Sequence, residues 1–325
     1  MTGDDSILPF QLDRAQMRGR VVRLDEALDQ ILEQHRYPPA VSALVAEAAL
    51  ITALIGSTMK LKWRFSIQIR GEGAVRLIAT DYYAPETAGE PGRIRAYAGF
   101  DTGDVVSSRL TPFQLLGKGV FGVTIDQGPG TTPYQGITPL TGSKLGDCAE
   151  AYFAQSEQIA TRFNTLSAHA QEPGKDMHWR AGGIMIQQLG HAGESVLADG
   201  PSGADGLMNA DDVAAMGANE EDWNRVNILM GTVDAHELIG PHLAMEGLLT
   251  RLFHEESPRV YEAQSIAFGC TCSAKRVEEA MAQYSAKDIA QMTNEAGKVT
   301  ADCQFCSAHY EFEPEALGFE AGGSS

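Results

Sequence analysis

Apolar positions along this chain fall into two periods. Leu24, Leu28, Ile31 and Leu32 recur at helical spacing, Pro38-Pro39 interrupts the run, and residues 40–55 resume it, so residues 24–58 read as helical. From Leu61 the period drops to two. Trp63, Phe65, Ile67 and Ile69 alternate with charged or polar residues, and Gly71-Glu72-Gly73 turns the chain into residues 74–80, which signals a β-hairpin. Further strands fit 93–98, 119–126, 134–140 and 179–188, with a helix over 145–163. Residues 1–189 are therefore expected to form an α+β domain of helices and a mainly antiparallel sheet.

The pattern then weakens. From Ala181 to Asn224 there is no Lys or Arg, while Glu194, Asp199, Asp205, Asp211, Asp212, Glu220, Glu221 and Asp222 are all acidic. Five glycines between Gly190 and Gly206 add freedom, so that stretch is expected to be mobile. Short helices are predicted over 210–216, 220–230 and 243–254. Their apolar residues, among them Trp223, Val226, Leu229, Met230, Leu248, Leu249, Leu252 and Phe253, need a surface to cover. Residues 190–268 read as an acidic helical linker.

The chemistry is concentrated beyond it, in Cys270-Thr271-Cys272 and Cys303-Gln304-Phe305-Cys306. Two such pairs on tight turns can place four thiolates around one Zn²⁺ at about 2.3 Å each, a closed shell with no position for water. The stretch between them reads as helices over 274–284 and 286–292 and a turn at Asn294-Glu295-Ala296-Gly297, which folds the pairs together. So small a module, residues 269–325, draws much of its folding free energy from the metal, on the order of 10 kcal/mol. The bare pattern also describes a permanent zinc knuckle. Two details favour a switch. Lys275 and Arg276 are cationic neighbours of the first pair and keep its sulfur as thiolate. Each pair is also close enough to form a disulfide once the metal leaves, and the ring across one residue, Cys270 to Cys272, is strained and readily reduced. Loop closure favours near neighbours, so oxidation is expected to join Cys270 to Cys272 and Cys303 to Cys306. His309 is a substitute ligand at most, since four sulfurs complete the shell.

Phe268-Gly269-Cys270-Thr271-Cys272-Ser273 with Cys303-x-x-Cys306-x-x-His309-Tyr310-x-Phe312 resembles the zinc domain of the redox-regulated thirty-three-kilodalton heat-shock chaperone family. The resemblance continues through Leu252-Phe253-His254-Glu255-Glu256, Ala181-Gly182-Gly183-Ile184-Met185-Ile186-Gln187, Tyr152-Phe153-x-x-Ser156-Glu157-Gln158, Pro133-Tyr134-Gln135-Gly136 and Gly92-Arg93-Ile94-Arg95-x-Tyr97, nearly the whole chain. It implies a holdase for unfolding client proteins under oxidative stress, inactive when reduced and zinc-bound, active and homodimeric when oxidised, and without enzymatic turnover. It also implies a linker that docks on the N-terminal sheet only while the zinc domain is folded.

Composition narrows the alternatives. A length of 325 residues suits two domains. A formal net charge of -18 argues against broad nucleic-acid binding and for solubility. Lys60, Lys62, Arg64, Arg70 and Arg76 read as a solvated sheet face. The N-terminus shows no secretory pattern, and residues 40–55, interrupted by Ser42, Glu47 and Thr52, look too short to span a bilayer, so a cytoplasmic protein is expected. In that reducing compartment four clustered cysteines are metal ligands or redox sensors. Gly117-Lys118-Gly119-Val120-Phe121-Gly122 spells G-x-G-x-x-G but leads into a strand, not the helix a nucleotide site needs. His236-Glu237 lacks a histidine at metalloprotease spacing, and Cys148 reads as a buried inert thiol. Two other functional classes remain: a thiol-disulfide oxidoreductase using Cys303 and Cys306, and a constitutive zinc-stabilised adaptor.

Overall fold

The computed structural model describes residues 4–87, 89–171, 177–189 and 210–318. In chain order the elements are β1 (Ser6–Leu12), β2 (Met17–Leu24), α1 (Glu26–Glu33), α2 (Pro39–Gly56), β3 (Arg64–Gly71), β4 (Val75–Tyr83), β5 (Gly92–Phe100) and α3 (Thr102–Ser107). Then come β6 (Gly119–Asp126), β7 (Tyr134–Pro139), α4 (Leu145–Tyr152), β8 (Thr161–Ala170) and β9 (His178–Gln188). The remainder comprises α5 (Ala210–Gly231), α6 (Ala235–Ile239), α7 (Met245–Phe253), β10 (Pro258–Val260), β11 (Gln264–Phe268), α8 (Ala274–Met281), α9 (Ala286–Met292), β12 (Val299–Asp302) and β13 (His309–Phe312).

One large sheet runs β7-β6-β3-β4-β5-β11-β1-β2-β9-β8, with β10 paired to β1. Every pairing in it is antiparallel except β11 on β5. The architecture is α+β, as the alternation predicted, and the strands expected from residue 61 to residue 140 all form.

Strand alternation gives this sheet two apolar faces. One carries Ile7, Val22, Phe65, Ile67, Ile78, Ile94 and Met185 and packs against α1, α2 and α4. Helix α2 is almost wholly buried there, from Val41 through Gly56. Its 18 residues are long and apolar enough to cross a membrane, contrary to the expectation that the segment is too short, and the fold instead uses it as the central core helix. The opposite face carries Leu8, Phe10, Leu12, Met17, Val21, Ile184 and Ile186, and these pack with Val226, Met230, Leu238, Leu248, Leu249, Leu252 and Phe253 of α5, α6 and α7. The apolar stripes of the helices after residue 210 thus have their surface.

Polar contacts fasten the same helices. Arg23 on β2 and Arg180 on β9, both buried, donate to the carbonyls that end α6: Arg23 Nε to Leu238 O at 3.1 Å, Arg23 Nη2 to Glu237 O at 2.7 Å, and Arg180 Nη2 to Ile239 O at 3.4 Å. Cations at a helix C-terminus satisfy its orphan carbonyls and complement its dipole. Arg225 on α5 forks onto the buried Glu256 carboxylate at 2.6 and 3.0 Å. The backbone of α6 lies directly on Gly182, where a Cβ would sit 2.2 Å from Leu238 O. A Gly182→Ala variant should therefore lose about 1–3 kcal/mol of stability through overpacking. Urea titration by circular dichroism and by fluorescence, with Trp63 and Trp179 both replaced by Phe so that Trp223 alone reports, will show the Trp223 transition moving to lower urea first.

Three local expectations change, and a fourth falls outside the described residues. Leu24 ends β2 and does not begin a helix, and β1 and β2 together form the hairpin that carries both sheet faces. Residues 145–163 are not one helix: α4 passes into a π turn, Phe153–Glu157, and Gln158 at φ 55° stops it in the left-handed region before β8 begins. Residues 210–230 form the single helix α5, because a lone glycine such as Gly217 costs a helix only about 1 kcal/mol. The stretch Gly190 to Gly206, expected to be mobile, lies outside the described residues.

Candidate metal centre

Beyond β11 an irregular stretch carries Cys270 and Cys272 into α8, whose N-cap, Ser273, accepts from the Arg276 N–H. Helix α9 follows, opened by a capping box between Ser285 and Asp288. The predicted turn is present: Asn294 N–H donates to Lys298 O at 2.8 Å, and Gly297 takes φ 76°, a value that favours glycine. It delivers the chain into β12. Cys303 and Cys306 occupy the turn between β12 and β13, closed by Ser307 N–H on Cys303 O at 2.8 Å and Cys303 N–H on Ala308 O at 2.9 Å.

These turns bring all four Sγ atoms within 4.8 Å of one another. Cys270 and Cys303 sulfurs lie 3.7 Å apart, Cys272 and Cys306 sulfurs 3.2 Å, and none is in a disulfide. A tetrahedron with bonds of about 2.3 Å has edges of about 3.8 Å, so the set fits a soft four-coordinate metal ion. Among the described residues this is the group arranged to hold one. The module around it has a small core of its own, Ile289, Val299, Phe312 and Leu317.

Groups outside the cysteine pairs tune the sulfurs. Tyr310 Oη–H donates to Cys272 Sγ at 3.1 Å. Arg95, projecting from β5, donates from Nη1 to Cys270 Sγ at 3.4 Å and to Thr271 Oγ1 at 3.3 Å. Burial pushes the Cys270 thiol up, but the Cys272 backbone N–H, the Arg95 guanidinium and the Cys272 thiol outweigh it and bring it down to about 7. At Cys303 and Cys306 burial dominates, and both lie above the usual thiol range.

The cations expected to do this work do something else. Lys275 is exposed and pairs with Glu279 at 3.9 Å, while Arg276 donates to Thr271 O and lies over the Trp63 ring at 5.6 Å. Spacing along the chain does not mark Arg95 or Tyr310 as neighbours of the sulfurs. Both stand in the short motifs quoted above, but nothing in the spacing says that an arginine on a strand meets cysteines 175 residues later.

His309 pairs with Asp302 at 2.6 Å and Glu311 at 3.5 Å and is not part of the sulfur group. Cys148 is fully buried on α4, bonded to Thr141 O at 3.2 Å, and its burial lifts the thiol to about 11. Cys303-x-x-Cys306 sits on a hairpin turn, whereas an oxidoreductase pair is activated at a helix N-terminus. Gly117 takes φ 64° and the chain enters β6, so the glycine-rich string is a turn between a short 3₁₀ segment and a strand. Glu237 closes the capping box of α6 and pairs with Arg251 at 2.5 Å.

Comparison with known proteins agrees with this layout. A crystal structure of the 33 kDa chaperonin of Thermotoga maritima superimposes with a TM-score of 0.72 over 96% of each chain, at 19% identity, which shows a common fold. Curated relatives from several bacteria bear the name 33 kDa chaperonin. That of Caulobacter vibrioides (strain NA1000 / CB15N) is 37% identical over 316 residues, 96% of this chain and 95% of the relative. That of Proteus mirabilis (strain HI4320) is 31% identical over 317 residues, 98% and 96% of the two chains. The model of the Hsp33 protein family matches from residue 5 to residue 313, a span that takes in both sheet faces, the helices after residue 210 and all four clustered sulfurs, and the chain therefore belongs to the Hsp33 family.

Proposed function

We propose that this chain is a redox-regulated holdase, a chaperone that binds unfolding proteins and holds them from aggregating. The observation that carries the reading is the second apolar face. Leu8, Phe10, Val21, Ile184 and Ile186 offer a broad hydrophobic surface, and what covers it is α5, α6 and α7, which reach the four-cysteine module through β10 and β11, strands of the same sheet where residues 190–268 were expected to be helical. Unfolded chains are recognised by hydrophobicity, so a face that can be uncovered is what a holdase requires.

In the reduced state Cys270, Cys272, Cys303 and Cys306 hold Zn²⁺, which supplies cross-linking and folding free energy to the small module. The N-terminal domain is assigned to residues 1–189, the linker to 190–268 and the zinc-binding switch to 269–325. Oxidant takes two electrons from each pair of thiolates and leaves disulfides, which are no longer metal ligands. The module, with four buried apolar residues, then unfolds. The linker loses its C-terminal anchor and clients reach the sheet. Exposed apolar surface also favours self-association, so the active form is a homodimer. Suppression of aggregation of a thermally unfolding client, compared for reduced and peroxide-treated protein, tests the reading, and equal activity in both states refutes it.

Oxidation is expected to join Cys270 to Cys272 and Cys303 to Cys306, because closing a short loop costs less chain entropy. The alternative pairings are spatially open, since Cys272 and Cys306 sulfurs stand 3.2 Å apart in the folded module. Local pairing wins if the module unfolds before both bonds close. Peptide mapping after mild peroxide treatment separates the cases, and a dominant Cys272–Cys306 peptide would show that oxidation runs to completion in the folded module.

A further inference from the structure

Three strands carry a row of polar side chains in register across the sheet: Ser66 on β3 faces Asp81 on β4, and Asp81 faces Arg95 on β5. The row stands on the face opposite α2. Asp81 and Arg95 are 5% and 8% exposed, so an acid and a base have been buried on what would otherwise be an open sheet surface. Ser66 Oγ–H donates to Asp81 Oδ1, and Arg95 holds Asp81 Oδ2 through Nε at 2.7 Å and Nη2 at 2.6 Å. That fork leaves Arg95 Nη1 pointing beyond the sheet. It reaches Cys270 Sγ and Thr271 Oγ1, in the first cysteine loop, while the guanidinium carbon sits over the Phe305 ring, in the second, 4.0 Å from its centroid. Tyr83 closes the side, with its hydroxyl 3.2 Å from Thr271 Oγ1 and its ring 5.4 Å from the guanidinium. One side chain of the sheet thus grips both loops of the metal centre.

We propose that Arg95 is the positioning residue that couples the cysteine module to the sheet, pinned by Asp81 on one side and holding Cys270, Thr271 and Phe305 on the other. The proposal deepens the holdase reading by naming the contact through which the state of the sulfurs is felt by the folded domain. Burying a guanidinium is unfavourable unless its donors are used, and a hydrogen bond to an anionic acceptor is about twice as strong as one to a neutral group. Anionic sulfur on the metal satisfies Nη1. A disulfide sulfur carries no charge and accepts weakly, so oxidation removes a partner that the buried Arg95 needs. The Phe305 stack depends on the second loop keeping its place and fails together with the first contact. Undocking of the module is then a direct consequence of the chemistry at sulfur, in addition to the loss of the module's own stability.

The test uses reduced, zinc-loaded full-length protein without oxidant or client. Arg95→Met should keep one zinc per chain, because all four ligands remain. Amide exchange over residues 264–272 and 303–306, and the rate of zinc loss to a chelator, should each rise about tenfold, the change expected from losing a charge-assisted hydrogen bond. Exchange in α2 should not change. Arg95→Lys keeps the charge but not the fork and should fall between. Phe305→Ala leaves the sheet's own residues intact, removes the stack on Arg95 together with an edge contact to Tyr97 at 6.4 Å, and should loosen the same segments, which guards against Arg95→Met acting by weakening the sheet. Exchange and zinc-loss rates equal to wild type in Arg95→Met and Phe305→Ala overturn the proposal. Peroxide-dependent suppression of aggregation by the unaltered protein is scored separately, so anchoring without chaperone activity refutes the functional reading alone, and chaperone activity without anchoring refutes this one.

Discussion

Serine at any one of Cys270, Cys272, Cys303 or Cys306 is expected to yield protein without zinc and with residues 269–318 unfolded, while Cys148→Ser keeps both metal and fold. The size of the effect follows from how little else holds the module. Its buried apolar side chains are Ile289, Val299, Phe312 and Leu317. So few buried side chains do not by themselves offset the conformational entropy lost in ordering a segment of this length. Helix α8 buries no residue, and β12 and β13 make only a two-stranded ribbon, which is marginal alone. On the proposed reading, metal binding decides whether the module folds. Metal analysis per chain and hydrogen exchange over the module measure both consequences. Zinc retained at one per chain in Cys303→Ser would break the assignment of the ligands, and zinc lost in Cys148→Ser would mean that the buried thiol matters to the site.

The second large effect belongs to the interface between linker and sheet. Phe253 on α7 is fully buried and stacks on Phe10 of β1 with ring centroids 6.1 Å apart. Phe253→Ala removes about 3–5 kcal/mol, the transfer free energy plus the cavity left between α7 and the sheet. The loss falls on docking of α5 to α7 and spares the first core, because Phe253 belongs to the second cluster. The reduced variant should be cut faster by protease between residues 232 and 262, should bind a hydrophobic dye, and should suppress client aggregation without peroxide. A comparable deletion in the first core, Leu50→Ala at about 2–5 kcal/mol, should lower global stability without those signs of an uncovered face. If reduced Phe253→Ala resists protease and stays inactive while its unfolding midpoint drops, the helices are not the cover of a client surface.

Much of this molecule was legible along the chain, and the boundary of legibility is physical. Sequence alone determined the four sulfurs, because ligand spacing is a local property. It also determined the hairpin of β3 and β4 and the core helix α2, because apolar period reports which residues of one element share a face. It also showed that the helices after residue 210 must cover something. Period does not say what lies against a face. Only the tertiary structure assigned the second face of β1, β2 and β9 to α5, α6 and α7, through contacts such as Arg23 to Leu238, 215 residues apart. Residues 145–163 depart from a single helix for a related reason: Leu145, Cys148, Ala149 and Tyr152 carry a helical stripe, but Phe163 is buried by pairing with β9, a partner outside any window. Arg95 is the sharpest case. On its own strand it is an ordinary charge between apolar residues, and its environment of Asp81, Cys270, Thr271 and Phe305 is assembled from three other stretches of chain. Local spacing determines which atoms can bind a metal, whereas the pairing of distant strands decides which cation is buried beside it.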